Sequence, residues 1–336
     1  MKFLNVLDGK EIWPPPVWLM RQAGRYLPEY RATRAKAGDF ISLCLNPALA
    51  EEVTLQPIRK FGFDAAILFS DILILPMALG QGLRFAEGEG PRMPPLEEIG
   101  LLQPDKAPGI YAPVIETVSR VRNSLPRETA LIGFAGGPAT VACYMLDGQG
   151  GGFPRTRLLA YERPDFVRRV LEVLSAASIE YLSAQIAAGA DCVMLFESWA
   201  GLFPAEQFRE FVIGPNRVIC DALKKRHPGV KIIGFPRLAG LMLGEYARDA
   251  GVDAVGLDSV TGIGAARAAC PPGTVFQGNL DPLLLKLGGK ALERGVKALL
   301  DEVRGHPHIL NLGHGITPDV PEAHVARLME LVRQGR

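Results

Sequence analysis

Short and almost uninterrupted apolar runs recur along the chain, and each is followed by a turn and a stretch of helical periodicity. Because apolar residues do not alternate with polar ones, these runs are typical of parallel strands covered on both faces. They predict eight strands, at residues 17–20, 64–69, 130–134, 191–196, 230–235, 253–257, 274–277 and 308–311.

The intervening stretches are amphipathic, and several begin with proline, which suits the first turn of a helix. The clearest predicted helices are residues 47–61, 164–188, 204–225, 263–269, 290–304 and 321–334. Eight βα repeats favour an α/β fold, a single (β/α)8 TIM barrel over residues 1–336, and not a doubly wound sheet with a Gly-x-Gly-x-x-Gly turn. Residues 80–126, which are proline-rich, are predicted to be an irregular excursion after the second strand.

Composition narrows the class of protein further. The 336 residues are 48% hydrophobic, and 37 basic residues balance 36 acidic ones, so the net charge is +1. No run of like charges suggests nucleic acid or an anionic membrane as a partner. The sequence lacks a signal peptide pattern and a spanning apolar stretch, so we expect a cytoplasmic protein. Its five cysteines form no Cys-x-x-Cys pair, which predicts buried thiols and no metal site.

The segment after the first predicted strand is unusually rich in arginine. Four guanidinium groups, on Arg21, Arg25, Arg31 and Arg34, fall within fourteen residues that contain one acid, Glu29. Their planar donor forks suit carboxylate or phosphate oxygens. An anionic ligand is the simplest explanation. The alternative is a surface helix whose arginines pair with nearby acids, namely Glu29, Asp39, Glu51 and Glu52.

Other polar residues follow the predicted strands at their carboxyl ends, where a barrel carries its chemistry. The candidates are Asp71, Tyr144, Ser198 and His314. Asp71 follows an apolar run, so its charge needs a partner, although it could instead cap the next helix. Tyr144 could be a core residue. His314 lies between two glycines, as tight loops also allow, and Ser198 lacks the context of a nucleophile.

Together these motifs resemble the uroporphyrinogen decarboxylase family over about residues 3–330. They are M-R-Q-A-G-R-Y-L-P-E-Y-R, F-S-D-I-L, G-F-A-G-G-P, L-F-E-S-W-A-G, V-G-L-D, Q-G-N-L-D-P and N-L-G-H-G. The resemblance implies a (β/α)8 barrel, commonly a homodimer, that converts uroporphyrinogen III to coproporphyrinogen III without a cofactor. It places catalysis on Asp71, Arg21 and Tyr144. Substrate contacts fall on these three and on Gln22, Ala23, Gly24, Arg25, Arg34, Ser198 and His314.

The implied substrate fits the candidate residues chemically. Its acetate and propionate side chains need permanent cations, which Arg21, Arg25 and Arg34 supply, and its central pyrrole N–H groups need an acceptor, which Asp71 supplies. Two other functions stay open from the sequence. One is a zinc-dependent methyltransferase of the same structural superfamily, which the absence of His-x-Cys disfavours. The other is a non-catalytic tetrapyrrole-binding protein.

A glycine-rich stretch at residues 148–152 lacks the Lys-Ser/Thr of a phosphate-binding loop. We predict that it is a flexible lid or a connector.

Overall fold

A curled parallel sheet with helices packed against it forms the centre of the protein. The computed structural model describes residues 1–86 and 90–335. Its strands are β1 (Ala65–Ile67), β2 (Arg84–Ala86), β3 (Gly90–Arg92), β4 (Ala130–Gly136), β5 (Cys192–Glu197), β6 (Lys231–Pro236), β7 (Ala254–Gly256), β8 (Val275–Leu280) and β9 (His308–Leu312). Seven strands form the parallel sheet in the order β1-β4-β5-β6-β7-β8-β9, and β2 and β3 form a separate antiparallel hairpin.

The helices occupy most of the intervening chain. They are α1 (Lys2–Leu7), α2 (Pro28–Ala37), α3 (Phe40–Cys44), α4 (Pro47–Phe61), α5 (Ile74–Ala78), α6 (Ala107–Ser124), α7 (Pro138–Asp147), α8 (Pro154–Glu162), α9 (Pro164–Ala187), α10 (Ala205–Gln207), α11 (Gly214–Arg226), α12 (Leu243–Asp249), α13 (Ile263–Ala269), α14 (Pro282–Leu287), α15 (Gly289–Val303) and α16 (Glu322–Gln334). Four short 3-10 turns lie at Ile99–Leu101, Pro104–Lys106, Ala200–Leu202 and Gly240–Met242, and Phe208–Ile213 forms a π-helical turn.

Burial explains why these segments form. Every residue of β4, β5 and β9 is buried, as expected of strands with helices on their outer face. In α15 the buried residues Leu292, Val296, Leu299, Leu300 and Val303 recur at three- and four-residue spacing, so one stripe of the helix faces the sheet.

Seven of the eight predicted strands are present, and the predicted strand at residues 17–20 differs. Val17 forms a single parallel bridge to Leu310 in β9, and the N–H of Trp18 donates to the Leu310 carbonyl at 3.3 Å. The ladder cannot extend towards the amino terminus because residues 14–16 are prolines, which have no N–H to donate. Forwards it ends at Arg21, whose φ of 63° is left-handed.

Three strands begin after the same tripeptide, Gly-x-Asp, and each aspartate binds one residue of the neighbouring segment twice. Its N–H donates to that residue's carbonyl, and its carboxylate accepts that residue's N–H. The pairs are Asp64 with Val17, Asp191 with Leu131, and Asp253 with Ile232, at N···O distances between 2.7 and 2.9 Å. We call these three pairs the aspartate clamps. Val17 therefore contacts the start of β1 in the same way that β4 contacts the start of β5 and β6 contacts the start of β7.

The proline-rich excursion is more regular than the sequence predicts. Residues 80–126 contain the hairpin β2–β3, two 3-10 turns and α6, an 18-residue helix that packs against α4. Sequence reasoning missed α6 because Pro113 lies inside it, and proline usually ends a helix. Residues 87–89 of this excursion lie outside the described part of the chain.

Among the described residues, α9 alone has the length and apolar composition to cross a membrane. Half of its apolar window is buried inside the fold, and α9 packs against α7 and α11. Core helices meet the same criteria, so this feature is weak evidence for a membrane span.

Candidate active site at the carboxyl edge of the sheet

The arginine-rich segment is a turn whose shape is maintained by hydrogen bonds of Gln22. The Gln22 side chain is buried; its Oε1 accepts from the N–H of Leu19 at 3.1 Å and its Nε2 donates to the Ala65 carbonyl at 3.2 Å. The Tyr26 hydroxyl donates to the Gln22 carbonyl at 2.8 Å. A Cβ on Gly24 would lie 2.9 Å from the Arg21 carbonyl, so glycine permits the close approach of the chain to itself. Gln22 thus uses its side chain to shape the turn.

The arginines of this turn differ in their partners. Arg21 and Arg25 are exposed and Arg34 is half-buried, and within the described residues none of the three has a carboxylate within 4 Å. Arg31 differs, because its Nη1 donates to the Arg25 carbonyl at 2.7 Å. Three of the four acids of the surface-helix alternative bind other cations: Glu29 pairs with Lys60, Glu52 with Arg59, and Glu51 with Arg120. The fourth, Asp39, accepts from Ser42 at the start of α3, and Arg34 acts on it electrostatically.

Asp71 lies just beyond β1, where the Arg21 charge acts on it. Its Oδ1 accepts from the N–H of Leu73 at 2.8 Å. This local turn precedes α5, whose N-cap residue is Leu73, so Asp71 does not cap the helix as the sequence allowed. Burial raises the pKa of Asp71, while the Leu73 N–H and the Arg21 guanidinium oppose that rise.

Tyr144 is half-buried on α7 and contacts two other aromatic residues. Its hydroxyl accepts from Trp199 Nε1 at 3.2 Å, and its ring packs edge-on against Phe153 at 5.1 Å between centroids. Phe153 in turn packs against Trp199 at 5.0 Å. Burial raises the Tyr144 pKa, and both Asp71 and Arg21 act on this phenol electrostatically. The phenol is therefore protonated at neutral pH.

The glycine-rich stretch after α7 lies beside Tyr144. Gly148 ends α7 in a left-handed conformation, and its carbonyl accepts from the N–H of Met93 at 2.8 Å. Gln149 forms an antiparallel bridge to Arg92 of β3. The stretch is thus a connector joined to the β2–β3 hairpin.

The amino end of α7 is anchored by Glu197, a fully buried carboxylate at the end of β5. Its oxygens accept from the backbone N–H groups of Ala139 and Thr140, the Thr140 hydroxyl and the Asn216 amide, at distances between 2.9 and 3.2 Å. Burial raises the pKa of Glu197 to about 7, although these four donors favour the ionised form. Gly137 leaves room for this carboxylate, since a Cβ there would lie 2.2 Å from Glu197 Cδ.

His314 follows β9 and lies near two guanidinium groups. Burial, together with Arg21 and Arg237, lowers its pKa to about 4, so its imidazole is neutral at neutral pH. The Arg21 side chain can approach His314 because the neighbouring residue, Gly315, has no side chain. A Cβ on Gly315 would lie 2.4 Å from Arg21 Cδ, so the arginine side chain crosses the bare glycine backbone.

Ser198 follows Glu197 directly and is half-buried, and its carbonyl accepts from Arg237 Nη1 at 3.4 Å. Arg237 is a residue of the site that sequence reasoning missed. The available signal was its position directly after β6, in G-F-P-R, at the same edge as the other candidates.

The structure brings Arg21, Asp71 and Tyr144 within electrostatic reach of one another, and His314 within reach of Arg21. Ser198 joins them through Arg237 and the neighbouring Trp199. Arg25, Ala23 and Gly24 lie on the turn itself. Arg34 lies further along on α2, where it acts on Tyr30, Asp39 and Cys44.

All five cysteines are free and buried, as predicted. Within residues 1–86 and 90–335, no three His, Cys, Asp or Glu side chains lie close enough together to hold a metal ion.

A parallel α/β sheet with cations, a half-buried carboxylate and a phenol at its carboxyl edge is typical of enzymes whose sites bind acidic ligands. The family profile described as uroporphyrinogen decarboxylase (URO-D) matches residues 1–335. The uroporphyrinogen decarboxylase of Acidiphilium cryptum is 61% identical, covering 98% of this chain and 93% of the relative. That of Granulibacter bethesdensis is 56% identical, covering 98% of each. The chain belongs to the uroporphyrinogen decarboxylase family.

A solved structure shares the fold at low sequence identity. A methyltransferase from Methanosarcina mazei superposes with a TM-score of 0.80 at 19% identity, covering 99% of this chain and 97% of that one.

Proposed function

We propose that this chain removes CO2 from the four acetate side chains of uroporphyrinogen III and releases coproporphyrinogen III. One observation carries the proposal: Arg21, which has no carboxylate within 4 Å among the described residues, acts on the half-buried carboxylate of Asp71, and Arg25 lies on the same turn as Arg21. A ring with acidic groups at its rim and N–H donors at its centre matches that charge pattern. Family membership and the two close relatives support the same reaction.

Asp71 is the proposed acceptor for the pyrrole N–H groups. One of its oxygens is occupied by the Leu73 N–H, and the other accepts no hydrogen bond from the described residues. Substrate donors would fill that oxygen and favour the charged form, against the effect of burial. The carboxylate would then stabilise positive charge on the pyrrole as it develops.

The reaction needs an electron sink, and the substrate supplies one. Protonation of a pyrrole ring carbon makes a cation that accepts the electron pair of the breaking C–CO2 bond. CO2 leaves, a proton adds to the exocyclic carbon to make a methyl group, and the ring proton departs. Each step therefore consumes one proton, and we propose that the enzyme works without a cofactor.

The remaining residues are proposed to bind the substrate. Arg21, Arg25 and Arg34 would hold its carboxylates, and Arg21 also lies close enough to Asp71 and Tyr144 to act during catalysis. Tyr144, Ser198 and His314 would orient acetate groups by hydrogen bonds. The backbone of Gln22, Ala23 and Gly24 would line the rim.

Conversion of the eight-carboxylate substrate under anaerobic, reducing conditions tests the function. We expect coproporphyrinogen III to accumulate without added metal, and a chelator to leave the rate unchanged. Binding without turnover would instead identify a tetrapyrrole-binding protein. Methyl transfer to a thiol that requires zinc would identify the methyltransferase alternative.

Replacing Asp71 with Asn tests the central role of its charge. The substitution preserves shape and removes the charge, so we expect kcat to fall roughly 100- to 1,000-fold while the melting temperature stays close to that of the unmodified enzyme. Steady-state rates and thermal melts measure the two effects. Near-normal turnover would contradict the electrostatic role.

We further propose that residues 1–336 form one catalytic domain whose sheet closes as an eight-position barrel. The aspartate clamp at Val17 supports this, because it matches the clamps on β4 and β6. We propose a cytoplasmic location as well. The one described helix that could cross a membrane by length and composition, α9, has half of its apolar window buried inside the fold.

We also propose a homodimer. Several large apolar side chains are exposed in the segments that follow β6, β7 and β8, at the edge that carries the site: Leu238, Leu241, Val260, Leu283 and Leu287. Burying such a patch favours association with a second copy. Light scattering should give twice the chain mass of 36.3 kDa. A monomer at micromolar concentration would contradict the proposal.

A further inference from the structure

Arg237 is a cation that no predicted role uses. It is half-buried between β6 and α12, and no carboxylate lies within 4 Å of it among the residues that the structure describes. Within residues 1–86 and 90–335, the one hydrogen bond of its side chain is the long contact of 3.4 Å to the Ser198 carbonyl. Its guanidinium lies 5.9 Å from the ring centroid of Trp199. Most of its five N–H donors are therefore available to a ligand.

The position of Arg237 in the sheet places it across the site from the arginine-rich turn. β6 is the middle of the seven strands, whereas Val17, which leads to Arg21, contacts β9 at one edge and the start of β1 at the other. His314 lies within electrostatic reach of both guanidinium groups. Arg237 and Arg21 thus approach the same space from different sides.

The backbone around Arg237 is held firmly. Its N–H donates to the Glu197 carbonyl at 3.1 Å, and its carbonyl accepts from the N–H of Gly201 at 3.1 Å. The next residue, Leu238, has a φ of 59°, an unfavourable conformation for leucine. Its N–H donates to Asp258 Oδ2 at 2.6 Å, which helps to maintain it.

Asp258 gives a role to the V-G-L-D motif. This aspartate is buried, and it also accepts from the N–H of Val260 and the hydroxyl of Thr261. The loop after β7 and the loop after β6 are therefore joined through one carboxylate. A fixed backbone reduces the conformational freedom that a guanidinium loses when it binds a ligand.

We propose that Arg237 binds a carboxylate of the tetrapyrrole substrate on the side of the ring remote from Arg21. The inference rests on the proposed function and adds a second anchoring point to it. A ring with eight acidic side chains carries charge around its whole perimeter, and a turn on one side cannot contact all of it. A fixed guanidinium on the other side sets the orientation of the ring and selects for acidic groups there.

Replacing Arg237 with Gln tests the inference. We expect KM for uroporphyrinogen III to rise about tenfold or more, because a charge-assisted hydrogen bond is lost, and kcat to change less. Arg237→Lys keeps the charge and loses the fork, so its KM should lie between the two. Arg169→Gln is the matched control: it removes an exposed arginine from the long helix α9 and should leave KM unchanged.

Two further measurements separate binding from loop distortion and from failure of the proposed function. Thermal melts of Arg237→Gln should match the unmodified enzyme. Binding of uroporphyrin, measured by fluorescence, should weaken in Arg237→Gln, and this readout does not require turnover. A KM and a porphyrin affinity within twofold of the unmodified values would overturn the inference. Absence of decarboxylation by the unmodified chain would overturn the function alone.

Discussion

At the scale of single residues, the site depends on charges that neighbouring side chains leave unpaired. Sequence reasoning could identify Arg21, Asp71 and His314 because each follows a predicted strand and is unusual in its local context. It missed Arg237 although its position directly after β6 was visible, and it could not assign the role of Glu197, which comes from contacts with residues distant in sequence. Gln22 shows the same limit, since a polar side chain at the candidate turn is directed into the fold.

His314 gives a testable consequence of burial beside two cations. Its pKa of about 4 lies below the value near 6.5 of an unfolded chain, so unfolding takes up a proton between those values. The contribution of His314 to stability is therefore complete above about pH 6.5 and is lost as the pH falls towards 4. An NMR titration of the ring protons, assigned with His314→Gln, should show its midpoint well below 6.5. A midpoint near 6.5 would mean that the ring is hydrated and remote from Arg21.

At the scale of elements, the position of Tyr144 depends on how α7 is attached to β5. Thr140 is central to this attachment: its hydroxyl donates to Glu197 at 2.9 Å and accepts from the N–H of Trp199 at 3.1 Å. Trp199 in turn donates to Tyr144. Thr140 therefore connects the Glu197 carboxylate with the aromatic pair Trp199 and Tyr144.

Replacing Thr140 with Val removes both hydrogen bonds at nearly constant volume. We expect the free energy of unfolding to fall by about 1–3 kcal/mol because buried partners lose hydrogen bonds. We also expect kcat/KM to fall roughly tenfold or more because Trp199 and Tyr144 shift. Denaturant unfolding and steady-state kinetics measure these effects.

Thr117→Val is the matched control for this prediction. Thr117 is also fully buried, but in the described part of the chain its hydroxyl bonds only to the Pro113 carbonyl within α6. We expect it to lower stability modestly and to leave kcat/KM unchanged. Equal kinetic losses in both variants would show that Thr140 has no special influence on the site.

Helices and strands with a strong apolar pattern were predicted correctly. The prediction was wrong where prolines limited strand pairing, at residues 17–20, and a helix with an internal proline, α6, was missed. The long buried strands and the amphipathic helix α15 follow directly from their apolar pattern. The 17–20 segment is as apolar as a strand, yet the prolines before it and Arg21 after it limit its pairing. In α6 the internal Pro113 concealed a helix.

At the scale of the whole molecule, the aspartate clamps fix the amino edge of the sheet. Each joins a strand to its neighbour through two hydrogen bonds to one residue. The Gly-x-Asp tripeptides are visible in the sequence, but their shared role is visible only when the strands are paired. The clamp at Asp64 is distinctive because its partner, Val17, leads into the arginine-rich turn.

Asp64→Ala should therefore affect both stability and substrate binding. Losing the acceptor of the Val17 N–H should lower the free energy of unfolding by about 1–3 kcal/mol, and a looser Val17 should raise KM through Arg21. Asp191→Ala, which removes the equivalent acceptor of the Leu131 N–H at the start of β5, is the control. We expect it to lower stability without raising KM. A rise in KM in both variants, measured alongside denaturant unfolding, would refute the link between Val17 and the turn.

The clamps and the site lie at opposite edges of the sheet, and this separation bears on how such chains diversify. Apart from the clamp at Asp64, which leads into the arginine-rich turn, the residues that hold the strands together lie away from the ligand, so mutations in the loops can change the chemistry while the sheet persists. The Methanosarcina mazei methyltransferase shares the fold at 19% identity. A sheet held at the amino ends of its strands can therefore keep its shape while the residues at the carboxyl ends change.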